Sequence, residues 1–297
     1  MKPAQFKHLL YKVILYIKYL TIQLISKKNI VVQYQCFSTN LSLKNRNFGD
    51  DINNVLFELI LKKKVIPYKF SIISKITNND RILGVGSIMG FFNINNATVW
   101  GTGIMTSNTE IKGIPKKVLA VRGRLTRNKL LDSGIQCPEI YGDPAILFPI
   151  FYTPPIIKKH KLGIIPHYSE IKKVQKMSFI NQDTLLINTS NYGNWKRFID
   201  NVISCDYIIS SSLHGLIIAD SYGIPNKWVE FYHQSDDNNF KFRDYYSVFK
   251  DCEVLPQIIT EHTHIDEIIQ ACKDWVEPDL DRRSLLDSLI KNTTYDS

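Results

Sequence analysis

The sequence predicts an α/β protein made of two Rossmann-like lobes with a cleft between them. Short β-like runs alternate with helical runs along most of the chain, and such alternation produces right-handed crossovers and parallel sheets. The alternation stops at a Pro-rich stretch with Pro149, Pro154 and Pro155, and then restarts. A length of 297 residues also suits two domains of roughly 120–150 residues better than one.

The composition is that of an ordinary folded protein. Hydrophobic residues make up 44% of the chain, enough apolar surface to offset chain entropy, so intrinsic disorder is excluded. Gly and Pro follow no fixed period, and we find no internal repeat of about 20–50 residues, so neither a collagen-like protein nor a solenoid is expected. The five cysteines form no CxxC pair and no Cys/His cluster. No metal site or disulfide framework is therefore predicted, and a reducing cytoplasm is the expected location.

The positive charge is concentrated at the N-terminal end. Of a net charge of +9, eight units arise before Asp50, where no acidic residue occurs. The remainder of the chain is nearly neutral and contains no basic stripe, so nucleic acid is not an expected partner.

Residues 1–28 are predicted to form a basic amphipathic helix. Lys12 and Lys18 interrupt its apolar run, which is then too short for a signal peptide or for a spanning helix of about 20 apolar residues. One face of this helix could pack on the protein's own core or lie on an anionic membrane surface. The two interpretations do not exclude each other, and the sequence leaves both open. The face comprises Leu9, Leu10, Val13, Ile14, Tyr16, Ile17, Leu20 and Leu24.

The first lobe is predicted over residues 29–155 and the second over residues 156–255, followed by an acidic helical tail over residues 256–297. Strands are predicted at Ile30–Tyr34, Arg81–Val85, Thr98–Gly101, Lys117–Val121, Lys161–Ile165, Thr184–Asn188, Tyr207–Ser210 and Lys227–Phe231. Helices are predicted at Asp50–Lys63, Arg124–Leu131, Trp195–Val202 and Leu213–Tyr222. Ligands of open α/β sheets bind beyond the carboxyl ends of the strands, so residues that follow these strands are the functional candidates.

The strongest candidate follows the strand that ends at Ser210. The chain there reads Ser210-Ser-Ser-Leu-His-Gly215 and continues into an apolar helix. His214 is therefore expected at a helix N-terminus facing the cleft, where backbone N–H groups and serine hydroxyls form an anion site. The alternative is that the serines only cap the helix and that His214 packs internally.

Two further strings contain candidates. Arg122 directly follows a strand, where its forked guanidinium could hold a carboxylate or a phosphate. In Asn47-Phe-Gly-Asp-Asp-Ile-Asn53, Gly49 permits a tight turn and Asp50 can cap the next helix. The GxG turns of the first lobe lack the third glycine and the acidic partner of a dinucleotide-binding fingerprint, so that kind of site is not predicted.

Five strings follow one another along the chain: Asn47-Phe-Gly-Asp50, Val121-Arg-Gly with Leu125-Thr-Arg127, Gly142-Asp-Pro-Ala145, Ser210-Ser-Ser-Leu-His-Gly215 and Ala219-Asp-Ser-Tyr-Gly-Ile-Pro225. Together they resemble the polysaccharide pyruvyl transferase family, especially its exopolysaccharide ketal-forming branch. The resemblance runs from about Asn47 to Glu230. It implies a GT-B-like fold of two facing Rossmann lobes, without a metal or another cofactor.

The resemblance also implies an activity. Family members move the pyruvyl group of phosphoenolpyruvate onto a sugar of a surface-polysaccharide precursor, lipid-linked or polymeric, forming a pyruvate ketal and releasing phosphate. His214 and Arg122 match the family's histidine and N-lobe arginine, so both are predicted to be catalytic. Many members carry an arginine two residues before the histidine, where this chain has Ser212.

The residues fit this chemistry independently of the resemblance. A histidine with a pKa near neutrality can deliver and accept the protons that ketal formation requires. The donor carries a carboxylate and a phosphate, and the parts available to hold them are Arg122, the helix N-terminus at His214 and His167. Together with the resemblance, the predicted donor contacts are Arg122, Ser211, Ser212, Gly215, His167 and Asp50. Asp143 and Glu230 are the candidates for contacts with acceptor hydroxyls, with capping or salt bridging as the alternative.

Two other functions remain open at this point. A glycosyltransferase with a nucleotide-sugar donor would use the same fold class, and Glu230 could then hold the donor ribose. A non-catalytic scaffold for polysaccharide assembly at a membrane surface is the second. For the enzyme, the expected partners are phosphoenolpyruvate, a saccharide acceptor and a membrane surface, and the expected location is the cytoplasm, at the inner face of the cell membrane.

Overall fold

The computed structural model describes residues 3–26, 29–34, 46–77, 81–231, 239–249 and 254–293. It is a mixed α/β protein with two five-stranded parallel sheets. Two such sheets in succession are consistent with the two predicted Rossmann-like lobes.

The first sheet has the strand order β2-β1-β3-β4-β5. Its strands are β1 (Asn29–Gln33), β2 (Lys64–Pro67), β3 (Arg81–Leu83), β4 (Ala97–Trp100) and β5 (Lys117–Ala120). The helices in this part of the chain are α1 (Pro3–Ile25), α2 (Phe48–Leu61), α3 (Ile72–Thr77), α4 (Arg124–Asp132) and α5 (Phe148–Phe151), with 3-10 helices at Tyr68–Phe70 and Pro144–Leu147.

The second sheet has the strand order β10-β9-β8-β6-β7. Its strands are β6 (His160–Ile165), β7 (Thr184–Leu186), β8 (Cys205–Ser210), β9 (Asn226–Glu230) and β10 (Gln257–Ile258). The helices are α6 (Ile171–Val174), α7 (Trp195–Ile203), α8 (Leu213–Ser221), α9 (Phe240–Tyr246), α10 (Ile265–Lys273) and α11 (Arg282–Thr293).

Each of the predicted strands and helices of the two lobes is present, with ends that differ by a few residues. The elements that the sequence did not predict include two edge strands, β2 and β10, and the short helix α9. Strand β10 has only two residues, and β2 ends in a proline. Segments this short are too brief to show a hydrophobic periodicity. They become strands because they pair with a neighbouring strand of the sheet.

One hydrophobic core continues from the first sheet into the second. It includes Val32 and Trp100 of the first sheet and Ile208 and Trp228 of the second. The last helix, α11, belongs to the same core, because Leu285 is fully buried and its carbonyl accepts a hydrogen bond of 3.0 Å from Trp100 Nε1. The predicted acidic tail therefore returns to the first sheet, and its buried leucines hold it there.

Helix α1 packs on the first lobe through tyrosines. Tyr16 and Tyr19 contact the Phe70 ring at centroid distances of 5.2 and 5.5 Å. Gln23 Nε2 donates a hydrogen bond of 2.8 Å to Ser71 Oγ. The predicted apolar face as a whole is not the packing face, since Leu9, Leu10, Val13, Ile14, Ile17 and Leu24 are each at least 45% exposed.

Among the described residues, no helix is long and apolar enough to cross a membrane. Cys137, Cys205 and Cys272 are free thiols inside the protein. Burial raises the pKa of Cys137 to about 11 and that of each of the other two to about 12. Cys36 and Cys252 lie outside the described residues.

Candidate functional site

We refer to the part of the chain around each sheet as a lobe, and residues of both lobes line a cavity of about 270 Å³. Loops that follow strands of both sheets form its wall, as is typical of binding sites in parallel α/β proteins. From the first lobe it is lined by Asn47, Asp50, Gly86, Ser87, Ile88, Phe91 and Met105, and from the second by His167, Tyr168, Ser212, Leu213, His214 and Lys241. Four of the predicted site residues therefore meet here: Asp50, His167, Ser212 and His214.

His214 occupies the first turn of α8, and its side chain is 15% exposed. The imidazole lies directly against the backbone of Gly49, at the start of α2 in the other lobe. A Cβ atom at Gly49 would overlap Nδ1 of His214. Gly49 is thus required by this close approach between the lobes and not by a tight turn, which corrects the sequence-based interpretation.

The environment of His214 keeps its imidazole neutral at pH 7. Burial, followed by the charges of Arg122 and Lys241, lowers the pKa of His214 to about 3. Its Nε2 is buried, has no hydrogen-bond partner and lies 3.8 Å from Oδ2 of Asp143. With the proton on Nε2, this N–H points at the Asp143 carboxylate, and the lone pair remains on Nδ1, beside Gly49.

The N-terminus of α8 presents free backbone donors beside His214. Within the described part of the chain, no acceptor pairs with the backbone amides of Leu213 and His214, two residues that line the cavity. Ser212 is the N-cap residue, but its side chain makes no capping hydrogen bond. Ser210 Oγ, not Ser212, organises the turn, because it donates to the Ile165 carbonyl and accepts from the Ser212 amide at 3.0 Å. Unpaired amides at the positive end of a helix dipole are suited to bind an anion.

Asp50 is a half-buried carboxyl group in the wall of the same cavity. Asn47, not Asp50, caps α2, since Asn47 Oδ1 accepts a hydrogen bond of 3.1 Å from the Gly49 amide. Burial and the neighbouring Asp51 carboxylate raise the pKa of Asp50 to about 7. The prediction that Asp50 caps α2 is therefore wrong. Because it does not cap the helix, its carboxyl group can carry a proton near neutral pH.

Lys241, on α9, brings a cation to the second-lobe side of the cavity. Burial and the charge of Arg122 lower its pKa to about 8, although the carboxylate of Glu170 opposes this shift. Burial and Lys241 in turn lower the pKa of His167 to about 4. Lys241 is therefore mostly protonated at pH 7, while His167 is neutral and shares a hydrogen bond of 2.7 Å with Ser169 Oγ.

A family model described as polysaccharide pyruvyl transferase matches residues 15–230, well over half of the chain. The chain belongs to the polysaccharide pyruvyl transferase family. An uncharacterised protein of Acanthamoeba polyphaga mimivirus is 32% identical over 215 residues, which cover 70% of this chain and 72% of that protein. The succinoglycan biosynthesis protein ExoV of Rhizobium meliloti is 24% identical over 251 residues, or 77% of this chain and 69% of ExoV.

Arg122, which was matched to the arginine of this pyruvyl transferase family, lies behind the cavity wall. Its side chain is fully buried. Nε and Nη2 each lie 2.9 Å from Asp244 Oδ2, Nη2 also donates to the Ile104 carbonyl, and Nη1 donates to Ser87 Oγ. Ser87 itself lines the cavity. Donor binding by Arg122 stays a prediction. In this arrangement the guanidinium would influence a bound donor indirectly, through its hydrogen bond to Ser87 and through its positive charge.

Four other predicted contact residues of this family member also lie outside the cavity lining. Ser211 Oγ donates to Glu170 Oε2 and accepts from the His167 amide, so it braces the His167 loop. Gly215 is needed because a Cβ there would overlap Ser210 Oγ. Asp143 is fully buried and accepts hydrogen bonds from the amides of Ala145 and Gly86. Glu230 is 1% exposed and accepts a hydrogen bond of 2.6 Å from Asn239.

Lys241 is the charged residue of the cavity that the sequence did not single out. It lies on α9, a short helix with no clear periodicity, beyond the last strand included in the family resemblance. In the sequence, the lysine of Asn239-Phe-Lys-Phe-Arg243 looks like any surface lysine. Only the position of α9 in the structure shows that it lines the cavity. Among the described residues, no three His, Cys, Asp or Glu side chains form a group that could hold a metal ion.

Proposed function

We propose that the protein transfers the pyruvyl group of phosphoenolpyruvate to a sugar of a surface-polysaccharide precursor, forming a pyruvate ketal and releasing phosphate. The observation that carries the proposal is the meeting of His214, Asp50 and Lys241 in one cavity, at the free N-terminus of α8. Membership of the polysaccharide pyruvyl transferase family supports the reaction class. Similarity to a succinoglycan biosynthesis protein supports an exopolysaccharide precursor as acceptor.

In this proposal the donor's anionic groups bind on the second-lobe side of the cavity. The Leu213 and His214 amides and the Ser212 hydroxyl offer hydrogen bonds, and Lys241 offers a positive charge. Charge-assisted hydrogen bonds of this kind are about twice as strong as neutral ones. Lys241 thereby supplies cationic charge to a cavity in which Ser212 stands where many family members have arginine. No metal or other cofactor is part of this proposal.

The proton balance of ketal formation assigns a part to each titratable group. Asp50, in its carboxyl form, protonates the methylene carbon of the donor, which leaves a cation-like carbon that still bears the phosphate ester. His214, as a neutral base, takes the proton of the attacking sugar hydroxyl. Loss of phosphate and attack by a second hydroxyl close the ketal. The two protons lost by the hydroxyls equal the one gained by the new methyl group and the one that leaves with phosphate.

This division of roles refines the sequence-based hypothesis, in which His214 served as both acid and base. A pKa lowered to about 3 keeps His214 in the neutral form that can accept a proton, and a pKa raised to about 7 leaves Asp50 partly in the carboxyl form that can donate one. Two groups whose pKa values are pushed apart by their surroundings are a common arrangement in acid–base catalysis. Asp143, 3.8 Å from Nε2, would orient the imidazole and stabilise it once it is protonated.

The test is an assay of phosphate release and of the acceptor's gain of a pyruvyl ketal, by mass spectrometry, with phosphoenolpyruvate as donor. We expect His214→Ala to lose about 10²–10⁴-fold in turnover, the range typical of general acid–base catalysis. His262→Ala removes an exposed histidine far along the chain and serves as the matched control. If a folded His214→Ala protein retains turnover within about threefold of the wild type, His214 is not the base. Release of nucleotide from a nucleotide sugar would instead favour the glycosyltransferase.

We also propose that the lobes face each other in a GT-B-like manner and that α1 rests on an anionic membrane surface, close to a lipid-linked acceptor. The shared cavity, walled by strand-end loops of both sheets, supports the first part. The exposed apolar residues of α1 support the second. Six lysines without an acidic residue in positions 1–28 add an attraction for anionic lipid.

A further inference from the structure

The cavity that contains His214 is too small to hold both substrates of the proposed reaction. Its volume of about 270 Å³ lies just below the range of about 300–1,000 Å³ that is usual for a single small-molecule site. A three-carbon donor fits, but a saccharide beside it requires more space. The two residues that the sequence offered for acceptor contacts, Asp143 and Glu230, are buried and bonded within the protein. The acceptor must therefore bind in an adjoining space.

Such a space opens directly from the cavity on the first-lobe side. A second hollow, of about 240 Å³, shares Ser87, Phe91 and Met105 with the His214 cavity and continues over Thr106, Thr109 and Glu110. We call this hollow the Phe91 groove. Its walls are the loops over residues 84–96, after β3, and 101–116, after β4. Irregular loops of about this length are uncommon in compact domains and are usually functional.

The two loops are held in place by their own hydrogen bonds. The backbone amide of Ile94 donates to the Lys112 carbonyl at 2.8 Å, and that of Met89 donates to the Gly103 carbonyl at 3.2 Å. The Thr106 and Thr109 hydroxyls are 2.9 Å apart and share a hydrogen bond. The groove is therefore formed before a ligand arrives, which lowers the entropic cost of binding.

The lining of the Phe91 groove suits a sugar. Phe91 lies at the junction of the two hollows with 54% of its surface exposed, and Tyr168, 57% exposed, lines the cavity from the other lobe. An exposed aromatic ring offers a flat apolar surface for the C–H face of a pyranose. Around it, the Ser87 and Thr109 hydroxyls and the Glu110 carboxylate provide acceptors and donors for sugar hydroxyls.

We infer that the Phe91 groove binds the acceptor saccharide, with the Phe91 ring as the platform that directs two sugar hydroxyls toward the donor beside His214. This inference rests on the proposed function for the identity of the acceptor. It differs from the sequence-based assignment, because the acceptor is held by the two long loops of the first lobe and not by Asp143 and Glu230.

The experiment measures saccharide binding separately from catalysis. Saturation-transfer NMR is recorded on the full chain with methyl β-glucoside, methyl β-galactoside and methyl β-mannoside, each without donor. We expect at least one glycoside to bind the wild type and to bind Phe91→Ala about tenfold more weakly, as the loss of one aromatic contact of about 1.4 kcal/mol implies. Phe91→Trp keeps a flat ring and should retain binding. Ile114→Ala removes an exposed apolar side chain that belongs to the second loop but does not line the groove, and it should leave binding unchanged.

Two results would overturn the inference: no glycoside binds the wild type, or Phe91→Ala binds as well as Ile114→Ala. In the transfer assay, Phe91→Ala should raise KM for the glycoside about tenfold and leave KM for phosphoenolpyruvate unchanged. If glycosides bind in a Phe91-dependent manner but no pyruvyl group is transferred, the groove stands and the proposed function fails. If transfer occurs but does not depend on Phe91, the proposed function stands and the groove assignment fails.

Discussion

At the scale of single residues, the cavity contains a carboxyl group and an imidazole, each in surroundings that disfavour its charged form. Asp50 is half-buried beside the negative charge of Asp51, and both effects favour its protonated form. His214 is enclosed with Arg122 and Lys241 nearby, and all three effects favour its neutral form. Since one residue comes from each lobe, their opposite protonation depends on the contact between the lobes.

These protonation states predict the pH dependence of activity. Asp50 is needed in its carboxyl form, so kcat/KM should fall as the pH rises through about 7, the raised pKa of this group. His214 is needed in its neutral form, which is lost only as the pH falls toward about 3. Initial rates measured from about pH 5 to about pH 9 should show the loss at high pH in the wild type.

Two variants separate Asp50 from the titration of the donor's own phosphate. Asp50→Asn cannot donate a proton, so its residual activity should lack the decline that Asp50 causes near pH 7. Asp51→Asn removes the charge that helps to raise the pKa of Asp50, so its decline should begin at lower pH. An unchanged profile in Asp50→Asn would show that Asp50 is not the acid.

At the scale of single elements, α1 is the exception to the rule that apolar faces are buried. Its tyrosines hold it on Phe70, while a row of aliphatic side chains, among them Leu9, Val13 and Ile17, remains about half exposed. Monomeric soluble proteins rarely expose a contiguous apolar strip of this length without a partner for it. In the membrane proposal an anionic surface is that partner, because positions 1–28 carry six lysines and no acidic residue.

We expect the full chain to bind vesicles that contain about one-third phosphatidylglycerol. The combined substitution Leu9→Gln, Val13→Gln and Ile17→Gln should weaken binding at least about tenfold, because each aliphatic side chain loses the free energy of burial in lipid. Binding by the wild type should also fall with added salt, since the attraction of lysines is screened within about 8–10 Å.

The matched control replaces Ile150, Ile156 and Ile157, which are also about half exposed, by glutamine. This variant should bind vesicles as well as the wild type in a co-sedimentation assay. Point substitutions are preferable to deleting residues 1–28, because deletion would uncover Phe70, on which α1 packs. Equal vesicle binding by the α1 variant and the control would place the membrane contact elsewhere.

At the scale of the whole molecule, the two lobes are joined by a buried ion pair. Asp244, on α9, is fully buried and accepts hydrogen bonds from Arg122 Nε and from both the amide and the hydroxyl of Thr126. On another side of the contact, Phe48 of α2 stacks on Phe198 of α7 with ring centroids 3.7 Å apart. These contacts hold the lobes where Gly49 lies against His214 and Asp50 lines the same cavity, so the stability of the interface and the geometry of the site are coupled.

Removal of the Asp244 carboxylate should therefore destabilise the protein strongly. Asp244→Ala leaves the buried Arg122 charge without its partner, which costs about 3–5 kcal/mol of unfolding free energy. Urea denaturation should show a correspondingly lower midpoint. In contrast, Asp206→Ala breaks an exposed pair with Lys161 at 3.2 Å and should cost no more than about 1 kcal/mol. Equal midpoints for the two variants would mean that Arg122–Asp244 does not hold the lobes together.

The sequence by itself determined most of the elements of both sheets and the identity of several site residues. Strands such as Cys205–Ser210 and helices such as Phe48–Leu61 follow from local hydrophobic periodicity, which a single segment contains in full. His214, His167 and Ser212 could be placed near a site because residues that follow parallel strands gather at one edge of a sheet.

Only the tertiary structure decided which charges face the cavity and which are buried behind it. Like His214, Arg122 and Asp143 follow strands or turns and were candidates for the site. In the structure, Arg122 pairs with Asp244 and Asp143 accepts hydrogen bonds from backbone amides, so both are buried. Lys241 reaches the cavity because α9 packs there, and α1 turns its tyrosines inward because Phe70 offers them a ring. Each of these outcomes depends on contacts between residues that are far apart in the chain. Local patterns of charge and hydrophobicity do not show which distant residues will be in contact.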